Sequence, residues 1–203
     1  MSSTGSPNAG SSHLTAKTRI RNAALDLYAD FGEDATSMRA VAEKAGVTVG
    51  LVVHHYGTKD GLREAVEQRI VDLFADAIPP ATASDDARSL AASRDAAVAA
   101  MLERNPAVIG YLRRAVLDPT GNRGRVLEML TDLTAEQVAS LRTAGLASTA
   151  HADSTQVIGV LVRQLGHLFL HPMVERTWAQ LVPPHSPASD MPRLVIRVVE
   201  TDP

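Results

Sequence analysis

Two hydroxyl-led runs carry the most chemistry. Thr36-Ser37-Met38-Arg39 and Thr48-Val49-Gly50-Leu51 both place hydroxyls where a helix can begin. A helix N-terminus offers unpaired N–H groups and the positive end of the peptide dipole. A hydroxyl there can cap the helix, hold a phosphate, or do both. Arg39 lies one turn in, and its guanidinium fits a phosphate or a guanine edge. Val49, Gly50 and Leu51 offer little hydrogen bonding, so readout there would be apolar contact, as with a thymine methyl. Glycine inside a helix costs about 0.5–1 kcal/mol relative to alanine. Close approach of the Gly50 backbone to DNA would explain it, and so would close helix packing. His54 and His55 can donate to phosphate, more strongly when protonated. Consecutive helical positions point about 100° apart, so this pair is unsuited to chelating one metal.

A second set suits a small ligand. Met101, Tyr111, Met129, Gln164, His167 and Phe169 combine adaptable methionines with a few polar groups. Simple core packing explains the same residue types. His167 and His171 share a helix face at a spacing that can bind metal, but no neighbouring carboxylate is evident. No metal or cofactor is expected, and pocket lining or an interface hydrogen bond accounts for the pair. The chain has no cysteine, which removes thiol nucleophiles, disulfides and cysteine-ligated metals. It has no G-x-S-x-G, P-loop, H-E-x-x-H or dinucleotide fingerprint. Gly121-Asn122-Arg123-Gly124 is too short for a phosphate loop. An enzyme is not expected.

The elements that must position these residues read as helices almost end to end. Thr15 is a good N-cap, and Ile20, Ala24, Leu27 and Phe31 recur on one face behind it. Gly32 stands where a left-handed C-terminal cap is wanted. Thr36 or Ser37 caps a short second helix with Met38, Val41 and Ala45 inward, ended by Gly46. Thr48 caps a third helix reaching about Tyr56. Thr58 caps a fourth with Leu62, Val66, Leu73 and Ala77 on a stripe. Pro79-Pro80 stops this unit, and the small, polar run that follows reads as a linker. The expected organisation is an arm over 1–13, a first unit over 14–78 and a second over 79–203. The arm is Ser- and Gly-rich with no apolar stretch, so it reads as disordered and not as a secretory signal.

The second unit is helical too. Ser84 or Asp85 caps a helix with Leu90, Val98 and Met101. Asn105-Pro106 starts the next, with Asn as N-cap, and Asp118-Pro119 and Gly121 punctuate it. Val126 to Leu141 marks a longer helix ending near Gly145. Asp153 or Ser154 caps an apolar helix ending at His171-Pro172. Between Val157 and Leu170 that helix is apolar nearly all round. It should therefore be buried on both sides, by its own core and by a partner subunit. It is interrupted by Arg163, Gln164 and His167 and too short to span a bilayer, so no membrane association is expected. Met191, Leu194, Val195, Val198 and Val199 fit a short helix, with a strand as the alternative. The fold class is all-α, with about nine helices.

Two short helices joined by a tight turn fit either a helix-turn-helix or a plain helical hairpin. Residues 36–62, Thr36 through Leu62, together with Ala23-Ala24-x2-Leu27-x3-Phe31-Gly32, settle the choice by resemblance. Residues 15–75 resemble the DNA-binding domain of the tetracycline-repressor (TetR) family of bacterial regulators. The resemblance implies a three-helix DNA-binding domain and a larger helical domain that dimerises through its last helices and holds an inducer pocket. It implies that Lys59 contacts phosphate. It also implies an aromatic where this chain has Val53, and valine cannot donate a hydrogen bond to the DNA backbone.

The formal net charge is −3, which excludes a broadly basic nucleic-acid coat. Residues 15–78 hold eight Lys+Arg against ten Asp+Glu. Distribution matters more than the total. Lys17, Arg19, Arg39 and Lys59 sit near helix starts expected to face DNA, whereas Asp60, Glu64, Glu67, Asp72 and Asp76 follow along the fourth helix, away from that face. The leading expectation is a cytoplasmic homodimeric regulator, a repressor released from a palindromic double-stranded operator by a small-molecule inducer. The competing one is a helical module that binds a small molecule or protein, its DNA binding weakened.

Overall fold

Each helix of the N-terminal unit begins where a hydroxyl can satisfy its first free N–H groups. In the computed structural model, which describes residues 15–81, 86–117, 125–183, 187 and 190–199, α1 spans Ala16–Phe31, α2 Met38–Ala45, α3 Val49–Tyr56 and α4 Lys59–Ala77. Thr15, Ser37, Thr48 and Thr58 each accept from the backbone N–H three residues on. Gly46 closes α2 in the left-handed conformation. Gly32 has positive φ with extended ψ, so it ends α1 without the expected left-handed cap. At Gly61 a Cβ would lie 2.4 Å from the Tyr56 carbonyl oxygen, so glycine lets α4 start hard against the end of α3.

Four further helices follow: α5 (Ala87–Arg104), α6 (Pro106–Leu117), α7 (Val126–Thr143) and α8 (Asp153–Leu181). The described residues hold eight helices and no strand. The arm over 1–13, the expected caps Ser84 and Asp85, and the turn over 118–124 lie outside the described residues. Asp86 caps α5, accepting from Arg88 and Ser89 N–H. Asn105 does not cap α6 with its side chain. Its amide donates back to the Met101 carbonyl at 2.7 Å and finishes α5 instead. Neither Asp153 nor Ser154 caps α8, which starts after Ala152 without a side-chain cap.

One apolar cluster runs from Ile20 and Ala24 of α1 through Leu62, Val66 and Ile70 of α4 to Val108, Leu112 and Leu130. α1 packs on α2 and α6, and α4 packs on α1, α5 and α7. Arg114 of α6 donates to the carbonyls of Ala29 and Asp30, at 2.9 and 2.6 Å, and so ties α6 to the C-terminal end of α1.

Three expectations need correction. α8 does not stop at His171-Pro172 but passes through Pro172 to Leu181. The nine residues beyond the proline are mostly good helix formers, and no breaker follows before Pro183, so the missing N–H is tolerated. Only Val157 of its 29 residues is buried, so the chain itself covers one side of α8 and not both. At that length, and with its hydropathy, α8 is long and apolar enough to cross a membrane by composition. The last run is neither helix nor strand. Residues 192–199 are extended, with Leu194, Ile196 and Val198 half-buried and Val195, Arg197 and Val199 exposed. Their β-branched side chains favour extended backbone, and no neighbouring strand pairs with them among the described residues.

Candidate nucleic-acid interface

The exposed residues of α3 fall on one face. At 100° per residue, Val49, Val53, Gly50 and His54 occupy about 140° of the helix surface, and all are exposed. Val52 points the opposite way and is fully buried. Leu51 and His55 lie off that face. Leu51 packs against the core and His55 is half-buried, with the two histidine rings 5.3 Å apart edge to face. The expected readout set therefore splits, leaving Thr48, Val49, Gly50, Val53 and His54 presented outward.

Packing inside the chain does not require glycine at Gly50. A Cβ there would meet only the Thr48 hydroxyl, at 3.9 Å. Of the two explanations for this glycine, close helix packing is removed. Val53 is 47% exposed in the middle of the face, an apolar contact with no donor.

Hydroxyls and cations lie on the neighbouring helices. Ser37 is exposed at the start of α2, with Arg39 exposed in its first turn. Thr36, expected beside it, is turned inward. It is 3% exposed, and its hydroxyl donates to the Gly32 carbonyl at 2.7 Å. That hydroxyl fixes the loop between α1 and α2 and is not available to a phosphate. Lys59 begins α4 and reaches the Asp34 carbonyl at 3.5 Å. Lys17 is exposed in the first turn of α1. The Tyr56 hydroxyl donates to its carbonyl at 2.6 Å, and its ammonium lies 6.0 Å from the Tyr56 ring centroid. This long-range bond carries the start of α1 to the end of α3, a role that sequence spacing did not reveal. Lys44 pairs with Asp26 and braces α2 on α1.

The amino-terminal part of this chain matches the family model described as bacterial regulatory proteins, tetR family, over residues 20–66. This segment is therefore similar to the amino-terminal domain of TetR-family regulators. It is 40% identical over 76 residues to the HTH-type transcriptional regulatory protein RaaS of Mycobacterium tuberculosis, covering 37% of this chain and 35% of RaaS. It is 51% identical over 47 residues to the HTH-type transcriptional repressor Rv3405c of the same species, covering 23% and 25%. These matches thus span about a third or less of the relatives' lengths. A crystal structure described as a TetR-family transcription regulator from Shewanella sp. PV-4 superposes with a TM-score of 0.62. It is 20% identical and covers 82% of this chain and 90% of its own, so it extends the likeness of fold to the second unit.

The residues expected at a ligand pocket scatter. Gln164 alone of the six lines a cavity of about 440 Å³ between α5, α7, α8 and the extended C-terminal segment. Met101 and Tyr111 are buried in the core, and Met129 and Phe169 pack against it. His167 stacks obliquely on His171 with centroids 6.3 Å apart, and His171 lies 3.6 Å from Glu175. No group of three metal-ligating side chains converges there among the described residues. Tyr111 has a different partner. Its hydroxyl donates to Glu67 at 2.9 Å, and the other carboxylate oxygen accepts from the Arg125 N–H at 3.0 Å. Burial, reinforced by the Glu67 charge, pushes the Tyr111 phenol well above its ordinary range, so it stays a donor. Sequence offered one signal for Glu67, a lone carboxylate on the face of α4 that carries Ile70, Val71 and Phe74. It offered none for the cavity's arginines, which come from three separate elements.

Proposed function

We infer that the protein is a sequence-specific DNA-binding transcriptional regulator that acts as a homodimer on a palindromic operator. The observation that carries this reading is the outward face of α3. It is a stripe of Val49, Gly50, Val53 and His54 with no internal packing role for its glycine, and the neighbouring helices α1, α2 and α4 carry Lys17, Ser37, Arg39 and Lys59 in their first turns or caps. Such a helix enters the major groove, where the neighbouring groups hold phosphates and the stripe meets base edges and methyls. His54 and Thr48 supply the polar contacts that Val53 cannot.

The homodimer reading rests on α8. Its exposed apolar residues Ile158, Val162, Leu170, Met173 and Leu181 share a stripe about 140° wide at 100° per residue. A stripe of that kind suits a self-complementary two-fold interface better than it suits solvent. Two-fold symmetry then sets two recognition helices on half-sites roughly 34–36 Å apart. The protein works in the cytoplasm as a repressor, in keeping with its likeness to the repressor Rv3405c. A ligand held between α5, α7 and α8 lowers operator affinity by preferring another spacing of the two α3 helices. Ile78, the C-cap of α4, lines that cavity and connects it to the DNA-binding unit.

The test is selection of bound sequences from a random DNA pool by the full chain, followed by sedimentation of free and bound protein. A palindromic consensus bound by two chains is the expected result. A monomer that selects no sequence overturns the reading.

A further inference from the structure

The cavity of about 440 Å³ lies within the size range of small-molecule sites, roughly 300–1,000 Å³. Its walls are mostly apolar, with Ile78, Leu90, Leu141 and Val160 among them. Its charges are lopsided. Arg94, Arg163 and Arg197 face it with a single carboxylate, Asp95. Arg163 pairs with Asp95 at 3.1 Å, and the guanidinium in excess of that pair is Arg197 on the C-terminal segment. The Arg163 Nε is buried and has no hydrogen-bond partner among the described residues. A buried donor left unmatched is costly, and a ligand acceptor would satisfy it.

The C-terminal segment closes one side. Ile196, Arg197 and Val198 line the cavity, and Ile196 seats on α8 at Gly166, where a Cβ would come within 2.3 Å of its Cδ1. Arg197 is thus a cation carried on an extended strap, and α5 and α8 supply the other two.

We propose that this cavity binds an organic anion with an apolar body, its carboxylate or phosphate head held by Arg163 and Arg197 and its body against α5, α7 and α8. Guanidinium forks match both heads in bidentate fashion, and an apolar wall raises the value of each charge-assisted bond. A cationic ligand would have to displace or neutralise arginines instead. The proposal rests on the reading of this domain as the effector domain and adds the chemical class of the effector and a role for the strap.

The experiment uses the full chain and four probes with one apolar body: octanoate, octyl phosphate, octanol and octylammonium, titrated calorimetrically below their micellar concentrations. At least one anion should bind about tenfold or more tighter than octanol, the size of one charge-assisted hydrogen bond, and octylammonium should not bind. The tighter anion identifies the head group. Arg197→Ala should lower the preference for the anion over octanol severalfold while leaving the melting temperature unchanged, since Arg197 is exposed. Arg163→Gln should do the same. Equal binding of octanol, a preference for octylammonium, or no saturable binding of any probe overturns the proposal, as does an anion preference unmoved in both variants. Mobility shifts without probe report on DNA binding separately. A chain that binds its operator but takes no anion refutes only this inference.

Discussion

The two halves of the molecule handle their apolar residues differently. In the first four helices every N-terminus is capped by a hydroxyl, and α4 alone buries six of its 19 residues. In the second half α7 and α8 start without a side-chain cap, and α8 buries one residue of 29. The N-terminal unit closes its core within one chain, and the apolar residues it leaves exposed, Phe31, Val49 and Val53, are few. α8 leaves exposed a long apolar stripe. Local signals suffice where a helix finds its partners nearby in sequence. Along α8 the described residues leave an apolar stripe uncovered, and no local signal says what covers it.

Spoiling the stripe should do the most damage. Ile158→Glu combined with Val162→Glu puts two carboxylates on α8 at half-exposed positions, where the single chain tolerates them. Sedimentation should show a monomer. Operator affinity should fall about a hundredfold or more, because linked binding to two half-sites supplies gains of that order. Helix content by circular dichroism should be retained. A variant that still sediments as a dimer would refute the assignment of the interface to α8.

A smaller effect tests how the two halves are joined. Glu67 is 1% exposed and bridges α4 to α6 and α7 through Tyr111 and the Arg125 N–H. Glu67→Ala leaves the buried Tyr111 hydroxyl unmatched and removes the acceptor of the Arg125 N–H, and should cost about 1–3 kcal/mol in denaturant unfolding. Glu67→Gln keeps one acceptor for Tyr111 and should cost less. Equal stability of Glu67→Ala and the parent would mean that the carboxylate bridge does not hold the junction.

This asymmetry also explains how far the sequence could be read. Thr15, Ser37, Thr48, Thr58 and Gly46 are local punctuation, and the structure uses each as punctuation. Thr36 shows the limit. Two adjacent hydroxyls both suited the cap, and only packing of the α1–α2 loop sent one of them inward. The split of α3 into a presented face and a packed one turns on Val52, a position expected in the core and fully buried. Pro172 misled because a proline is a strong local signal that the flanking helix formers outweighed. The last run fitted a short helix by spacing, and its β-branched content, which had left a strand open, goes with the non-helical backbone it adopts. Its seat on Gly166 joins residues far apart in the chain, and no spacing rule reaches them.

Smaller again is the change foreseen at Lys59. Its ammonium stands at the start of α4 beside the α1–α2 loop, where binding a phosphate reads no sequence. Lys59→Ala should weaken binding to all DNA sequences about equally. It should also flatten the dependence of log K on log salt by about 0.9 for each phosphate no longer neutralised, close to two for a dimer on both half-sites. A titration with an unchanged slope would remove Lys59 from the interface and narrow the basic footprint to Lys17 and Arg39.

The finest test sets stability against function at a single methyl group. Space is open around Gly50, so alanine there meets nothing in the chain nearer than the Thr48 hydroxyl at 3.9 Å. Helix propensity favours alanine by about 0.5–1 kcal/mol, and Gly50→Ala should raise stability by that much in a denaturant titration. If the glycine is there to let a DNA backbone or base edge come close, the same methyl should weaken operator binding while leaving the dimer and the Lys59 salt slope alone. The two changes must have opposite signs, because the added methyl disturbs no packing inside the chain that could link them. A variant that gains stability and keeps full operator affinity would show that α3 stands off from DNA at this position. Readout would then fall to Thr48 and His54, with Val49 and Val53 left as the apolar contacts. A variant that loses stability would mean that the surroundings of α3 are tighter than the open space at Gly50 implies.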